Sequence, residues 1–321
     1  MTKQQLDDRV AAIADKLNIS VNRARVLVSS IIVAQMLPGE SVVKGGVGIK
    51  LRLGEIGTRA TTDFDVATRE EEAFLDDLEK RLEIGWGTVP PSKGQLKKNA
   101  EATPRLAFTG ALRRDKKSKP AGVPAEYVMK PCNVTLRFMT SPWSAVKLEV
   151  GYDELRGIDL ADHETGLDEQ LTAIGAILGF GDLKPVPLIS LELQLAQKIH
   201  AVTEPGSPRA HDLVDLQLLW HAGTDAGQGL DLTLLKTLCE RTFDFRKRHA
   251  WPPADFAMPG LLDDVYGKAL DEARAAPEAV EGEPETVNAT AELADTLADA
   301  SAWLNDRIVE IVAAVNEADL A

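Results

Sequence analysis

The stretch VVKGGVGIKLRLGEIGTRATTDFDV, residues 42–66, determines the fold more than any other part of the chain. It begins with β-branched residues, runs into the glycine pair Gly45 and Gly46, and ends by alternating Phe64 and Val66 with two aspartates. Alternation of this kind is typical of a strand with one buried face. The stretch therefore predicts a strand, a glycine turn, a short helix and a second strand.

The two aspartates, Asp63 and Asp65, should project together from the polar face of the second strand. Two carboxylates so close repel each other unless a cation lies between them. Oxygen ligands at this spacing suit Mg²⁺, which keeps several waters and takes further ligands from substrate phosphates. The alternative interpretation is a strand whose wet face carries two solvated acids.

Two further features accompany the aspartates. AVKLEVG, residues 145–151, shows the same alternation, so Glu149 is either a third carboxylate on a neighbouring strand or a solvated edge charge. The pair Gly45 and Gly46 precedes a helical run, where backbone amides can approach phosphate oxygens; a plain tight turn is the alternative.

On either side of this stretch, the periodicity predicts two helices over 3–37 and a charged helix near 70–82. Alternation predicts strands at 105–110, 133–140 and 145–152, and helical patterns follow beyond 155. Strands followed by helices indicate an α+β fold with a mixed sheet and a helical C-terminal domain. We expect domains at 1–155 and 156–275, then an acidic linker and a C-terminal helix at 276–321.

Composition excludes several classes of protein. The 321 residues are enough for a core without disulfides, and the two cysteines lack the spacing of a metal cluster. The N-terminus is polar, and the longest apolar runs, such as residues 26–37, are too short to span a bilayer. We expect a soluble cytoplasmic protein without a membrane partner.

The net charge of −14 is unevenly distributed. Residues 263–321 hold 15 acidic and 3 basic residues, whereas residues 93–119 hold nine basic residues and two acidic ones. Clustered cations supply sequence-independent contacts to phosphates, so this basic segment indicates a nucleic-acid partner. The candidate RNA-binding residues are Arg113, Arg114, Lys116 and Lys117.

A second pattern lies in ELQLAQKIHAVTEPGSPRAHDLVDLQLL, residues 192–219. An amphipathic helix presents Lys198, and after a Pro and Gly loop Asp212 opens the next helix, with Asp215 one turn later. Without the first pattern, a solvated lysine and a capping aspartate would be the simpler interpretation.

Together the two patterns resemble a known family. The glycine pair followed by D-x-D is similar to the signature of the polymerase-β-like nucleotidyltransferase superfamily. The longer gap before the aspartates and the sequence LRLG resemble its AbiEii branch, the toxins of type IV toxin-antitoxin systems that include the mycobacterial MenT enzymes. The lysine helix and the D-x-x-D helix resemble that branch's second motif over Lys198, Asp212 and Asp215.

The resemblance implies a Mg²⁺-dependent nucleotidyltransferase toxin that transfers nucleotides from a nucleoside triphosphate to RNA. A tRNA 3′ end would be the acceptor, inhibited translation the outcome, and a cognate antitoxin a partner. Asp63, Asp65, Lys198 and Asp212 would be catalytic, with the first two holding the metal. Substrate would be bound by a second set of residues: Gly45, Gly46, Arg52, Glu149 and Asp215.

Individual roles follow from the same resemblance. Glu149 would help to deprotonate the acceptor hydroxyl, and Lys198 would neutralise charge on the triphosphate. Asp212 would position Lys198 or share in the metal network. Thr61 and Thr62 would be regulatory, because phosphorylation beside the aspartates adds negative charge to the site.

Two other functions remain open at this point. A small-molecule nucleotidyltransferase, such as one that modifies an aminoglycoside, would need no basic segment. A noncatalytic interaction protein with a degenerate nucleotidyltransferase fold would not need Asp63, Asp65 and Lys198.

Overall fold

A computed structural model describes residues 1–115, 129–152, 164–225, 229–275 and 293–315. By its contacts the chain forms two compact units that alternate along the sequence. The first comprises 1–55, 61–153 and 163–188, and the second comprises 56–60, 154–162 and 189–321. Within the described ranges, no single helix is long and apolar enough to cross a membrane.

The first unit is built on an eight-stranded mixed sheet of order β3-β4-β5-β6-β2-β1-β8-β7. Its strands are β1 (Ser41–Lys44), β2 (Asp63–Thr68), β3 (Trp86–Val89), β4 (Arg105–Arg114), β5 (Lys130–Phe138), β6 (Ser141–Tyr152), β7 (Glu164–Gly166) and β8 (Val186–Leu188). The pairs β2–β6 and β1–β8 are parallel, and the other neighbours are antiparallel.

Among the described residues, the same unit has six helices: α1 (Lys3–Leu17), α2 (Val21–Ala34), α3 (Gly45–Leu53), α4 (Glu71–Ile84), α5 (Lys93–Lys98) and α6 (Glu169–Leu178). The apolar faces of α2, α3 and α4 pack on the sheet, and α1 packs on α2 and α6. Phe64 and Val66 are fully buried in β2, as the alternation predicts. Asp63 and Asp65, which alternate with them, are therefore held on the opposite face of the sheet.

The second unit is helical and contains α7 (Leu191–Thr203), α8 (His211–Asp225), α9 (Leu232–Arg246), α10 (Asp263–Arg274) and α11 (Leu297–Ala313). Helix α7 packs on α8 and α9, and α8 packs on α10 and α11. Gln217, fully buried on α8, donates to the Tyr266 hydroxyl and accepts from the amide of Ala294. These bonds tie α8 to α10 and to the chain before α11.

The fold class is confirmed: helices and a mixed sheet make an α+β protein followed by a helical region. The chain beyond 155 is not helical throughout, because β7, α6 and β8 complete the first unit. Strand β4 also continues beyond the expected strand at 105–110 and ends at Arg114. The expected boundaries at 155 and 275 stay predictions, and the acidic linker at 276–286 lies outside the described residues.

Candidate active site

The polar face of the sheet carries a row of charged residues across three adjacent strands. Lys44 on β1 lies opposite Asp65 on β2, and Asp65 lies beside Glu149 on β6. In the next row Asp63 pairs with Lys147. Residues at matched positions of neighbouring strands share one face, so the sheet brings three carboxylates and two lysines together.

Electrostatics show that the carboxylates affect one another. Burial raises the pKa of Glu149, and the charges of Asp65 and Asp63 raise it further, while Lys44 and Lys147 oppose them. A raised pKa means that the ionised carboxylate is disfavoured until a cation approaches. Oxygen donors in this arrangement fit a hard divalent cation that takes its remaining ligands from phosphate and water.

The described residues contain no group of three or more His, Cys, Asp and Glu side chains that forms a ready metal cage. This is compatible with Mg²⁺, which is usually held by one or two carboxylates together with substrate phosphates. Asp63 and Asp65 are the residues that would hold it.

The glycine pair leaves room for the carboxylate of Asp65. Gly45 has a positive φ of 64°, and a Cβ there would overlap Oδ2 of Asp65. A Cβ on Gly46 would lie 2.7 Å from Oγ1 of Thr61. Both positions therefore require glycine where the N-terminus of α3 meets β2, which is more specific than the tight turn considered as the alternative.

Arg52, expected to bind substrate, instead forms an ion pair with Glu164 on β7. It lies on α3, whose C-terminal end is held by a second set of charges: buried Glu55 accepts from Arg23 and, at 2.7 Å, from Lys50. These pairs fix the helix that begins at the glycine pair. The geometry therefore favours a structural role for Arg52.

In the second unit, Lys198 is buried between two aspartates of α8. Its Nζ donates to Asp212 Oδ1 at 2.8 Å and to Asp215 Oδ2 at 2.7 Å. Ser190 caps the N-terminus of α7, which carries the lysine. An ammonium has three donors, and within the described residues the two aspartates accept from two of them.

Arg59 completes this cluster. Its guanidinium makes a bidentate contact with Asp215, from Nε at 3.0 Å and Nη2 at 2.8 Å, and Nη2 lies 3.6 Å from Asp212. Burial would lower the pKa of Arg59, but Asp215 and Asp212 outweigh it and raise that pKa. The amide of Ala60 also donates to Glu272 at 2.9 Å.

Asp212 is completely buried yet ionised. Burial alone would raise its pKa, but Lys198 and Arg209 hold the pKa well below its usual range. Arg209 donates to the second carboxylate oxygen at 2.6 Å, across the two intervening residues of the sequence. Because both aspartates face cations, the geometry favours positioning of Lys198 over a metal-binding role.

Sequence reasoning missed two residues of this chemistry, Lys44 and Arg59. Lys44 stands directly before the glycine pair, and the antiparallel register of β1 and β2 could have placed it opposite Asp65. Arg59 gave no signal of its own, since its partners are more than 150 residues away in the sequence.

The structure describes both regulatory candidates and two of the four candidate RNA-binding residues. Thr61 is half-buried and Thr62 is exposed, with Oγ1 of Thr62 3.4 Å from Oδ1 of Asp63. Arg113 pairs with Asp115, and Arg114 pairs with acidic residues of α4. Lys116 and Lys117 lie outside the described residues.

The chain was compared with protein families, with solved structures and with curated proteins. The family model described as nucleotidyl transferase AbiEii toxin, type IV toxin-antitoxin system, matches residues 27–306. The fold is similar to MenT4, a nucleotidyltransferase toxin from Mycobacterium tuberculosis H37Rv, at 16% identity and TM-score 0.51, covering 99% of this chain and 91% of that one. A curated-protein comparison gives no match.

A second structure, described as a nucleotidyltransferase from H. pylori, has 12% identity and TM-score 0.40, covering 91% of this chain and 96% of that one. At such low identities the structural likeness concerns the fold alone. The family match spans most of the chain, and it includes the glycine pair, the D-x-D strand and the lysine cluster. The enzyme class and the resemblance seen in the sequence are confirmed: the chain belongs to the AbiEii family of nucleotidyltransferase toxins of type IV toxin-antitoxin systems.

Proposed function

We propose that this protein transfers a nucleotide from a nucleoside triphosphate to an RNA acceptor, with Mg²⁺ as the metal and the 3′ end of tRNA as the acceptor. The observation that carries the proposal is the row of Lys44, Asp65 and Glu149 beside Asp63, next to a helix that begins with two glycines. Family membership supports nucleotidyl transfer as the reaction class.

The reaction joins an acceptor hydroxyl to the α-phosphorus of the triphosphate. The new bond forms from the hydroxyl oxygen, the bond from the α-phosphorus to the bridging oxygen breaks, and pyrophosphate leaves. A divalent cation would neutralise charge on the phosphates and orient them. Asp63 and Asp65 would hold that cation, and the raised pKa of Glu149 suits it to accept the hydroxyl proton.

Lys198 acts on the triphosphate. Its charge stabilises the negative charge that develops on the leaving pyrophosphate. Asp212 and Asp215 fix the ammonium in place through hydrogen bonds of 2.8 and 2.7 Å. Arg59 holds Asp215 in turn, so these three residues position the lysine.

The decisive test is an assay of purified protein with Mg²⁺, each radiolabelled nucleoside triphosphate and total tRNA. We expect label in the tRNA with the wild type and none with a folded Asp65→Ala variant, because one metal ligand is lost. An active, folded Asp65→Ala enzyme would overturn the assignment of the site.

A small-molecule acceptor is the second candidate, because Arg113 and Arg114 are engaged in ion pairs that reduce their availability to RNA. Label transfer to an aminoglycoside without RNA would support it. If transfer needs RNA, this candidate is excluded.

Regulation at Thr61 or Thr62 is a further part of the proposal. A phosphate on Thr62 would bring about −1.5 to −2 charges beside Asp63 and would repel the incoming triphosphate. We expect Thr62→Glu to lower transfer by at least about tenfold and Thr62→Val to keep it. The same comparison at Thr61 is less specific, since that side chain packs against Gly46. Full activity of the Thr62→Glu protein would exclude this switch.

A further inference from the structure

The helical second unit contains a cavity of about 600 Å³ that takes no part in the proposed reaction. It lies among the C-terminal half of α9, the following residues 247–252 and the end of α11. Lys198 and His200 are two residues apart on α7 and therefore point about 200° apart around the helix. Lys198 faces α8, whereas His200 contacts Phe243 of α9, whose ring helps to line the cavity.

One wall of the cavity is aromatic. Trp251 and Phe243 meet edge to face with ring centroids 5.1 Å apart, and Phe243 meets His249 in the same way at 4.7 Å. Such a contact occupies at most one face of the partly exposed indole. The indole is partly exposed where it lines the cavity, and stacking on a tryptophan suits a nucleobase.

Charged groups of both signs line the same space. Lys236, Lys247 and Arg248 supply cations, with Arg248 paired to Glu204 at 2.7 Å. Glu240 and Asp244 stand one turn apart on α9. The cations suit a phosphate, and the carboxylates can accept hydrogen bonds from the exocyclic amine of a base.

Buried polar atoms next to the cavity lack partners among the described residues. The hydroxyl of Thr203 donates to Ile199 at 2.7 Å, so it accepts from Nε2 of His249, and Nδ1 of His249 remains an unsatisfied acceptor. Nδ1 of His200 accepts from Arg246 at 3.3 Å, which leaves its Nε2–H as an unsatisfied donor.

Burial favours the neutral form of both imidazoles. Burial and the charge of Arg246 lower the pKa of His200 to about 3, and burial lowers that of His249. The centroids of the two rings lie 4.8 Å apart. His200 offers a donor and His249 an acceptor. This pair is complementary to a hydroxyl group.

We propose that this cavity binds a nucleotide unit whose base stacks on Trp251, whose phosphate meets Lys247 and Arg248, and whose hydroxyls reach the His249 side. The same chemistry is presented by a free nucleotide and by one residue of a single-stranded RNA. The site does not depend on the transfer reaction, so its test measures binding alone.

The test is calorimetric titration of the full-length protein with CMP and with pentacytidylate, in EDTA. EDTA removes the cation through which the D-x-D site would hold phosphates. We expect binding of at least one probe, weakened at least about fivefold by Trp251→Leu and kept by Trp251→Phe. Binding of CMP alone would identify a free nucleotide as the source, and binding of pentacytidylate a strand.

Controls separate this site from the proposed active site. Lys247→Ala should weaken binding and reduce its salt dependence, while Lys268→Ala, an exposed lysine of the same unit that does not line the cavity, should not. Lys198→Ala should stop transfer and leave this binding unchanged. Absence of binding of both probes at about 1 mM, or unchanged binding by Trp251→Leu with a wild-type thermal melt, would overturn the proposal.

Discussion

At the scale of single residues, the clearest constraint is at Gly45. A side chain there would combine an unfavourable positive φ with overlap of Asp65 Oδ2. We expect Gly45→Ala to lose about 1–2 kcal/mol of stability and to lower transfer by about a hundredfold, since the displaced carboxylate no longer holds the cation correctly. Thermal melting and the transfer assay measure the two effects.

The matched control for that variant is Gly39→Ala. Gly39 has no atom within 4 Å of the place where its Cβ would stand. We expect wild-type activity from it. A Gly45→Ala enzyme as active as this control would show that the close approach to Asp65 is not required.

Substitution of Lys198 tests the cluster that this residue forms with Asp212 and Asp215. Lys198→Ala leaves Asp212 and Asp215 without their shared cation, and breaking such a buried pair costs about 3–5 kcal/mol. Lys198→Arg keeps the charge, but a planar fork does not reproduce the point charge of an ammonium. We expect transfer to fall at least about a hundredfold in both, measured at a temperature where circular dichroism shows the variants folded. Normal transfer by both would assign Lys198 to structure alone.

Glu149 gives a prediction about pH. Its raised pKa means that ionisation costs the folded protein stability, and this cost is absent at low pH and appears as the pH rises through that pKa. We expect Glu149→Gln to raise the melting temperature in EDTA at pH 8, and this gain to vanish near pH 4. The same variant should lose transfer activity. An unchanged melting temperature at pH 8 would contradict the repulsion among the three carboxylates.

At the scale of elements, long periodic segments were predictable and short ones were not. The alternation of Phe64 and Val66 fixed the face of β2, and helical periodicity predicted α7 and α8. Strands β7 and β8 have three residues each, too few for any alternation to show, and they are strands because neighbours pair with them.

The basic residues at the end of β4 and directly after it give a prediction at this scale. We expect combined replacement of Arg113, Arg114, Lys116 and Lys117 by Ala to weaken RNA use without changing transfer chemistry. Removing one cation that binds a phosphate would reduce the slope of log affinity against log salt by about 0.7. Binding to tRNA at several salt concentrations measures this slope. Replacement of Lys93, Lys97 and Lys98 on α5 provides a comparison of similar charge.

An unchanged slope would show that this part of the chain only faces water. The ion pairs of Arg114 with Glu72 and Asp76 already indicate that it contributes to the packing of α4 against β4. The sequence could identify the cluster of cations, but it could not show which of them are neutralised by a helix that precedes them in the chain.

At the scale of the whole molecule, the two motifs were visible in the sequence, while the way the chain divides was not. Five residues, 56–60, leave the first unit and join the second, where Arg59 meets Asp215. No local pattern marks this excursion, because its partners come from α8 and α10 far along the chain. The sequence therefore predicted two sets of site residues, the glycine pair with the D-x-D strand and Lys198 with its aspartates. It could not predict that Arg59 binds Asp215 of the second set.

This interleaving also sets an order of events during synthesis. Val43 of β1 pairs with Leu188 of β8, so the nascent chain waits for that partner for on the order of ten seconds at roughly 5–20 residues per second. The segment before Asp63 waits longer, since Glu272, which binds the amide of Ala60, lies 212 residues further along the chain. A chain truncated anywhere before residue 272 therefore lacks that anchor.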